Sequence, residues 1–405
     1  MTSTEAGQRA RRPGAPLEVL GAFLRLGLTS FGGPAAHLGY FRAEFVERRR
    51  WLDEDAYAEL VALCQFLPGP ASSQAGFAIG LLRAGPWGAV AAWTGFTLPS
   101  AALMVLFAYG AGDLAASPAG AGLLHGLKLV AVAVVAQAVW GMARSLCPDR
   151  PRAAVAVAAA ALAISAPVSA AQVAAIGLGA VAGLLLCRGG PAQPGPGWVA
   201  PVSRRTGTAC LALFAALLAA TPLLRDAGPA GAAFAAFYRS GALVFGGGHV
   251  VLPLLRDAVV AHGWVTDGAF LAGYGAAQAV PGPLFTVAAY LGAVLRPGPG
   301  GVAGAALALL AIFLPGLLLL IGALPFWGVV RARPAARAAV RGANAAVVGL
   351  LGAALYDPVW TSAVLRPTDF ALALAGFALL TLWRAPPLAV AVLGALGGAG
   401  LAVVG

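Results

Sequence analysis

The chain has 405 residues, of which 60% are hydrophobic and 10% are charged, with a formal net charge of +11. A soluble domain carries about 25% charged residues and could not cover this much apolar surface, so the composition excludes a soluble protein and predicts a polytopic helical membrane protein. The basic residues lie mostly at the ends of apolar segments, which membrane topology and anionic lipid headgroups explain without a nucleic-acid partner.

The amino-terminal part of the chain predicts apolar helices interrupted by one polar stretch. Residues 1–15 are polar and basic, so we expect them to be disordered, and they lack the apolar core of a cleavable signal peptide. The first apolar segment covers 16–31 and ends at a Gly-Gly-Pro sequence. Residues 41–59 are the most charged stretch, which predicts an interfacial helix or a loop that closes over the bundle. Further apolar segments lie near 56–82, 87–112, 118–146, 153–166 and 168–187.

A linker divides the chain into two parts. Residues 188–206 are polar and rich in Pro and Gly, which is typical of a connection between domains. We therefore expect one repeat over 16–187 and a second over 207–405. The apolar segments of the second part lie near 207–224, 229–247, 269–295, 301–327, 336–356, 369–383 and 385–404. Together the two parts predict roughly ten to fourteen membrane crossings.

The second part repeats the order of motifs in the first. Phe-Gly-Gly occurs at 31–33 and at 245–247, and Pro-Gly-Pro follows at 68–70 and at 281–283. Other residues recur in the same order, namely Arg25 with Arg239, Arg42 with Arg256, Trp51 with Trp264, and Gln65 with Gln278. The matches indicate an internal duplication, and hence an all-α membrane protein with two homologous halves. The number of crossings between the repeats leaves open whether the halves are parallel or inverted.

Each Pro-Gly-Pro sequence predicts a broken helix. Proline lacks an N–H group and glycine exposes the backbone, so a new helix can start at Ala71 and at Leu284. Inside a bilayer the freed backbone groups must meet protein, water or a ligand, and paired broken helices commonly form the substrate site of transporters. The positive amino-terminal end of a helix suits an anion, above all a tetrahedral oxyanion. The alternative interpretation is a pair of simple kinks.

Hydroxyl and amide side chains beside the breaks can complete such a site. Ser72, Ser73 and Thr286 fall in the first turn of the new helices, where they either donate to a ligand or bond back to their own helix. Gln65 and Gln278 stand three residues before the two Pro-Gly-Pro sequences. Each amide either orients a ligand oxygen or ties down the helix break.

Two arginines lie inside apolar segments. Arg25 and Arg239 each precede a Phe-Gly-Gly sequence by six residues. An arginine in mid-membrane costs about 2.5–3.5 kcal/mol on insertion scales, so a buried one is usually functional. Its guanidinium group either binds an oxyanion through charge-assisted hydrogen bonds or extends to a nearby interface.

Three further residues are candidates for proton coupling. His37 and His249 follow the Gly-Gly turns at non-equivalent positions, and Glu59 is the carboxylate in the apolar approach to the first break. A histidine titrates near neutral pH, although a hydrogen bond to a broken-helix carbonyl explains it equally well. Hydrolase, nucleotide-binding and metal-binding motifs are absent from the sequence, so we expect neither an enzyme nor a metal or other cofactor.

The segments that carry these motifs resemble the chromate ion transporters, in particular their long, two-domain members. They read SFGGPAAHLGYF (30–41), CQFLPGPASSQ (64–74), FGGGHVVLPLL (245–255) and AQAVPGPLFTVAAYLG (277–292). The resemblance implies a bacterial inner-membrane protein with halves inserted in opposite orientation, which exports chromate at the expense of the proton-motive force and confers chromate resistance. Its motifs carry over to Phe31, Gly32, Gly33, Pro34, Pro68, Gly69 and Pro70, and to Phe245, Gly246, Gly247, Gly248, Pro281, Gly282 and Pro283.

The sequence therefore predicts a secondary transporter of a divalent tetrahedral oxyanion. Broken helices from both halves would converge, with positive charge from Arg25 and Arg239, and the halves would rock to expose the site to either side. Sulfate, as the structural analogue, is the expected competitor, and membrane lipid surrounds the bundle. The alternative is a permease or channel for sulfate or another solute, and assembly into a homodimer is left open.

Overall fold

The computed structural model describes residues 15–31, 33–165, 169–187, 202–244 and 251–404. These residues form helices and connecting turns without a strand, which confirms the predicted all-α class. The first half contains α1 (Pro16–Thr29), α2 (Gly33–Arg42), α3 (Glu54–Phe66), α4 (Ala71–Ala115), α5 (Pro118–Leu146), α6 (Arg150–Ser165) and α7 (Ser169–Leu186).

The second half repeats this order after one additional helix, α8 (Arg204–Asp226). The remaining helices are α9 (Pro229–Ala242), α10 (Val251–Val259), α11 (Asp267–Ala279), α12 (Val287–Val294), α13 (Gly301–Ala323), α14 (Trp327–Ala332), α15 (Pro334–Ala354), α16 (Pro367–Thr381) and α17 (Pro387–Val404). Short 3-10 or π-helical turns lie at Ala43–Arg48, Leu284–Thr286, Leu324–Phe326 and Leu355–Trp360, the last continued by Thr361–Ala363.

The long helix α4 is a hairpin of two arms, 71–83 and 86–115. Ala84 and Gly85 leave helical dihedral angles, and a Cβ atom built on Gly80 or Gly88 would collide with the backbone of the other. Residues eight positions apart on a straight helix are about 12 Å apart, so this contact requires the chain to fold back. The second half builds the same hairpin from α12 and α13, which also approach each other closely at two glycines, Gly292 and Gly304.

Five helical stretches among the described residues are long and apolar enough to cross a membrane. They are Ala71–Leu114, Pro118–Leu146, Arg204–Asp226, Gly301–Val330 and Pro334–Ala363. Shorter apolar helices accompany them, including Ala171–Leu186 and Pro387–Val403. Large apolar side chains such as Leu223, Leu382 and Trp383 are exposed, as expected of a lipid-facing surface. The chain is thus a multi-pass helical membrane protein.

The last helices of each half pack on the other half. In the first half α7 lies against α15, and in the second half the equivalent helix α17 lies against α5. Glycines allow the close approach in both places, because a Cβ on Gly342 would collide with Gly179 and one on Gly126 with Gly394. Because the last helix of each half packs on the other half, the two halves form one packed unit.

The charged stretch 41–59 is a self-paired surface beside this bundle. Arg42 Nε lies 2.7 Å from Glu54 Oε1, and the repeat forms the same pair, with Arg256 Nε 2.8 Å from Asp267 Oδ1. Burial alone would raise the pKa of Glu44, but hydrogen bonds from Arg49 and Arg48 outweigh it and hold that pKa below its usual value.

Candidate functional site

Each Pro-Gly-Pro break is hydrogen bonded to the residue that directly precedes the Phe-Gly-Gly sequence of the opposite half. The Gly69 N–H donates to the Val244 carbonyl oxygen at 2.7 Å, and the Gly282 N–H donates to the Ser30 carbonyl oxygen at 2.9 Å. Ser30 and Val244 are equivalent residues, each directly before a Phe-Gly-Gly sequence. The two bonds are therefore reciprocal, and we call the region around Ser30, Gly69, Val244 and Gly282 the crossing of the two halves.

Glycine is required at both donors of this crossing. Gly69 has φ +120° and Gly282 has φ +100°, in a region that residues with a Cβ rarely adopt. A Cβ on Gly69 would stand 3.0 Å from the Gly316 Cα atom on α13, and one on Gly282 would stand 2.8 Å from Ser100 Oγ on α4. Each break is thus pressed against the hairpin of the opposite half.

New helices start directly after both breaks, as the sequence predicts. Side chains of Asp53 and Thr266 cap the helices before the breaks, α3 and α11, through the N–H groups of Ala56 and Ala269. After the first break α4 begins at Ala71, and after the second a 3-10 turn leads into α12. The first N–H groups of a helix have no partner inside it, so both starts present donors at the crossing.

The predicted hydroxyls differ in what they contact. Thr286 Oγ1 donates to the Pro283 carbonyl oxygen at 2.8 Å, so this hydroxyl bonds back to its own turn. Ser72 Oγ lies 3.4 Å from His37 Nδ1, which brings the predicted proton-coupling histidine to the start of α4. Ser73 Oγ is buried and has no hydrogen-bond partner among the described residues.

Sequence reasoning missed Gln74, which connects the two halves at the first break. Its side chain is fully buried, and Nε2 donates to the carbonyl oxygens of Pro68 and Gly316, both at 2.9 Å. Its Oε1 atom has no partner within the described residues. Val287 occupies the equivalent place after the second break, so the duplication carried no signal for this amide.

Six of the twelve buried side-chain atoms that lack a hydrogen-bond partner among the described residues lie on the breaks or on the helices beside them. These atoms are buried and have no hydrogen-bond partner within the described part of the chain. They are Ser30 Oγ, His37 Nε2, Ser73 Oγ, Gln74 Oε1, Thr97 Oγ1 and Gln278 Nε2. Each such group costs about 1–3 kcal/mol unless something satisfies it. A cluster of them indicates a place where a polar ligand or ordered water binds.

The two predicted arginines have different surroundings. Arg25 lies on the exposed face of α1, opposite the buried Val19, Phe23 and Leu26, whereas Arg239 is half-buried and lines a cleft. The difference follows from α8, which packs on α9 and α13 in the second half and has no equivalent among the described residues of the first. A role for either arginine in substrate binding stays a prediction.

The remaining predicted residues are also placed unequally. Gln65 is exposed, whereas Gln278 is half-buried and hydrogen bonds with the Tyr274 hydroxyl. Glu59 is half-buried on α3, and Gly33 begins α2 with φ +76°. Six predicted residues lie outside the described residues, namely Gly32, Phe245, Gly246, Gly247, Gly248 and His249. Within the described residues no group of three His, Cys, Asp or Glu side chains is arranged to hold a metal ion.

Comparison with known proteins assigns a family to this architecture. The sequence model of the chromate transporter family matches residues 17–184 and 231–399, so that each half carries one copy and α8 lies outside both. No solved structure matches the chain.

Curated relatives cover most of the chain. A chromate transport protein of Pseudomonas aeruginosa is 30% identical over 377 residues, or 91% of this chain and 87% of that protein. One of Cupriavidus metallidurans is 27% identical and covers 88% of this chain and 86% of its own length. A probable chromate transport protein of Synechococcus elongatus is 27% identical over 82% of each chain. All three are named as transport proteins, not enzymes, and with both halves matched, this chain belongs to the chromate transporter family.

Proposed function

We propose that this protein is a secondary active transporter of chromate, and that the dianion binds at the crossing of the two halves. The observation that carries the proposal is the reciprocal pairing of Gly69 with Val244 and of Gly282 with Ser30, because it unites both halves in one centre lined by unpaired buried polar atoms. The names of the curated relatives supply the substrate.

The chemistry of the centre suits a tetrahedral oxyanion. Ser30, Ser73 and Thr97 offer hydroxyl donors, and the two helix starts offer backbone N–H groups. Each helix start contributes about half a positive charge, so the pair contributes about one, against the two negative charges of chromate. Burial lowers the pKa of His37 to about 4, so its ring, which lies against Ser72, is neutral at neutral pH in the empty site. We propose that a bound dianion raises this pKa and that His37 takes up the second positive charge together with chromate. This balance is our reason for proposing that protons and chromate move in a coupled cycle.

The proposed cycle is alternating access across the bacterial inner membrane. We propose that a two-fold axis in the membrane plane relates the two halves. The reciprocal contacts support a two-fold relation, and α8, as one additional membrane span, would invert the second half. Rocking of one half against the other would then expose the centre to each side in turn. Export in exchange for protons would confer resistance to chromate.

Chromate uptake into inverted membrane vesicles with an imposed pH gradient tests this function. We expect saturable uptake that a protonophore abolishes and that sulfate reduces by competition. Uptake that is indifferent to the protonophore would favour the alternative, a channel or permease for sulfate and related anions. Vesicles that contain the folded protein but take up no chromate would refute the proposal.

A further inference from the structure

A basic cleft lies between α8, α9 and α10, and its lining includes none of the crossing residues Ser30, Gly69, Val244 and Gly282. It contains a cavity of about 80 Å³ that is open to the surface. Its charged or titratable lining residues are Arg225, Arg239, Asp257 and His262. Because α8 lies outside both family segments, one wall of this cleft belongs to neither repeat.

Arg239 has no ionic partner in this cleft. Its side chain is half-buried beside Ala235 and Ala236, and among the described residues no carboxylate lies within 4.0 Å of it. On the next helix, Arg256 forms two hydrogen bonds with Asp267. A partly buried guanidinium group without an acceptor is costly, and an oxyanion can satisfy it through two parallel hydrogen bonds.

Arg225 is held at the edge of the same cleft by a histidine. Arg225 Nη2 lies 2.8 Å from His262 Nε2, and His262 Nδ1 lies 3.2 Å from the Asp257 carbonyl oxygen. With the proton on Nδ1, the neutral ring donates to that carbonyl and accepts from Arg225. Arg225 and Arg239 together outweigh the single negative charge of Asp257, so the lining carries a net charge of +1.

We propose that this cleft is a second binding site for the transported oxyanion, which α8 adds to the second half. The inference rests on the proposed function. Leu243, which lines the cleft, directly precedes Val244, whose carbonyl oxygen accepts from Gly69 at the crossing. An anion bound between Arg225 and Arg239 is therefore close to Leu243 and Val244, which connect the cleft to the crossing.

Equilibrium binding of radiolabelled sulfate to the purified full chain in a neutral detergent tests the cleft. We expect Arg239→Gln and Arg225→Gln each to weaken binding at the cleft about tenfold, since each removes a charged hydrogen-bond donor. Arg239→Lys keeps the charge without the planar fork and is expected to give an intermediate affinity. Arg204→Gln, at the exposed start of the same helix, is the matched control and leaves binding unchanged.

Flux measurements separate this inference from the proposed function. In proteoliposomes, the two cleft variants should raise the KM for chromate while the maximal rate stays close to that of the unchanged protein. If the protein transports chromate but neither substitution changes sulfate binding or the KM, the cleft is not a binding site, and the proposed function is unaffected. Absence of chromate flux in the unchanged protein would refute the function itself. Loss of sulfate binding in nanodiscs of phosphatidylglycerol, but not of phosphatidylcholine, would assign the cleft to a lipid headgroup and overturn the inference.

Discussion

Replacement of either crossing glycine by alanine tests the geometry of the centre. Gly69→Ala forces a Cβ into a left-handed backbone, at about 1–2 kcal/mol, and against Gly316, where overpacking adds about 1–3 kcal/mol. Gly282→Ala meets Ser100 and the same backbone strain. We therefore expect each substitution to lower the free energy of unfolding by about 2–5 kcal/mol, and to lower chromate flux in parallel.

The assay is chemical denaturation in mixed micelles, followed by flux in proteoliposomes for each folded variant. Gly21→Ala is the matched control, because a Cβ at Gly21 meets nothing within 4 Å and alanine favours the helix by about 0.5–1 kcal/mol. The reciprocity predicts similar losses for Gly69→Ala and Gly282→Ala. A variant of either glycine that is as stable and active as Gly21→Ala would refute the crossing.

Three further outcomes follow from particular contacts. The Asp369 carboxylate lies 3.0 Å from His125 Nε2 and caps α16, so Asp369→Ala should lower the free energy of unfolding, measured by denaturation, by roughly 3 kcal/mol. The control Asp113→Ala, at an exposed position, should change it little. Gln74→Leu should lower chromate flux severalfold. It should lower the free energy of unfolding by about 1–3 kcal/mol, because it leaves the carbonyl oxygens of Pro68 and Gly316 without this donor. Unchanged flux would exclude Gln74 from the site. The pKa of Glu44 is lower in the folded protein than its usual value of 4.5, so ionised Glu44 stabilises the fold fully above pH 4.5, and this stabilisation is lost as the pH falls through the lower folded pKa. Glu44→Gln should therefore flatten the melting temperature as a function of pH below 4.5. A pH profile that the substitution leaves unchanged would contradict this assignment.

Local features of the fold could be predicted from the sequence. The apolar segments near 118–146 and 301–327 correspond to α5 and α13, and the helix start at Ala71 is where the Pro-Gly-Pro rule places it. The pairing of Arg42 with Glu54 recurs as Arg256 with Asp267, at positions that the duplication aligns. These features depend on residues close together in the chain, so composition and spacing are sufficient to find them.

Contacts between the halves could not be predicted. The exchange of α7 and α17 and the bonds of Gly69 and Gly282 join residues far apart in sequence, and no local pattern specifies which repeat each break meets. Gln74 has no counterpart in the second repeat, where Val287 stands at the equivalent position, so the duplication does not mark it. The unequal placement of Arg25 and Arg239 depends on α8, whose packing partners the duplication does not specify.

The most direct test of the account is chromate flux into proteoliposomes that contain the full chain, compared with the double variant Ser73→Ala and Gln74→Leu. Both residues belong to the buried, partly unsatisfied polar cluster at the crossing. We expect saturable, sulfate-competed flux for the unchanged protein and a loss of at least about tenfold in the double variant, with Arg204→Gln as the unaffected control. Equal flux in a folded double variant would contradict the claim that chromate passes through the crossing of the two halves.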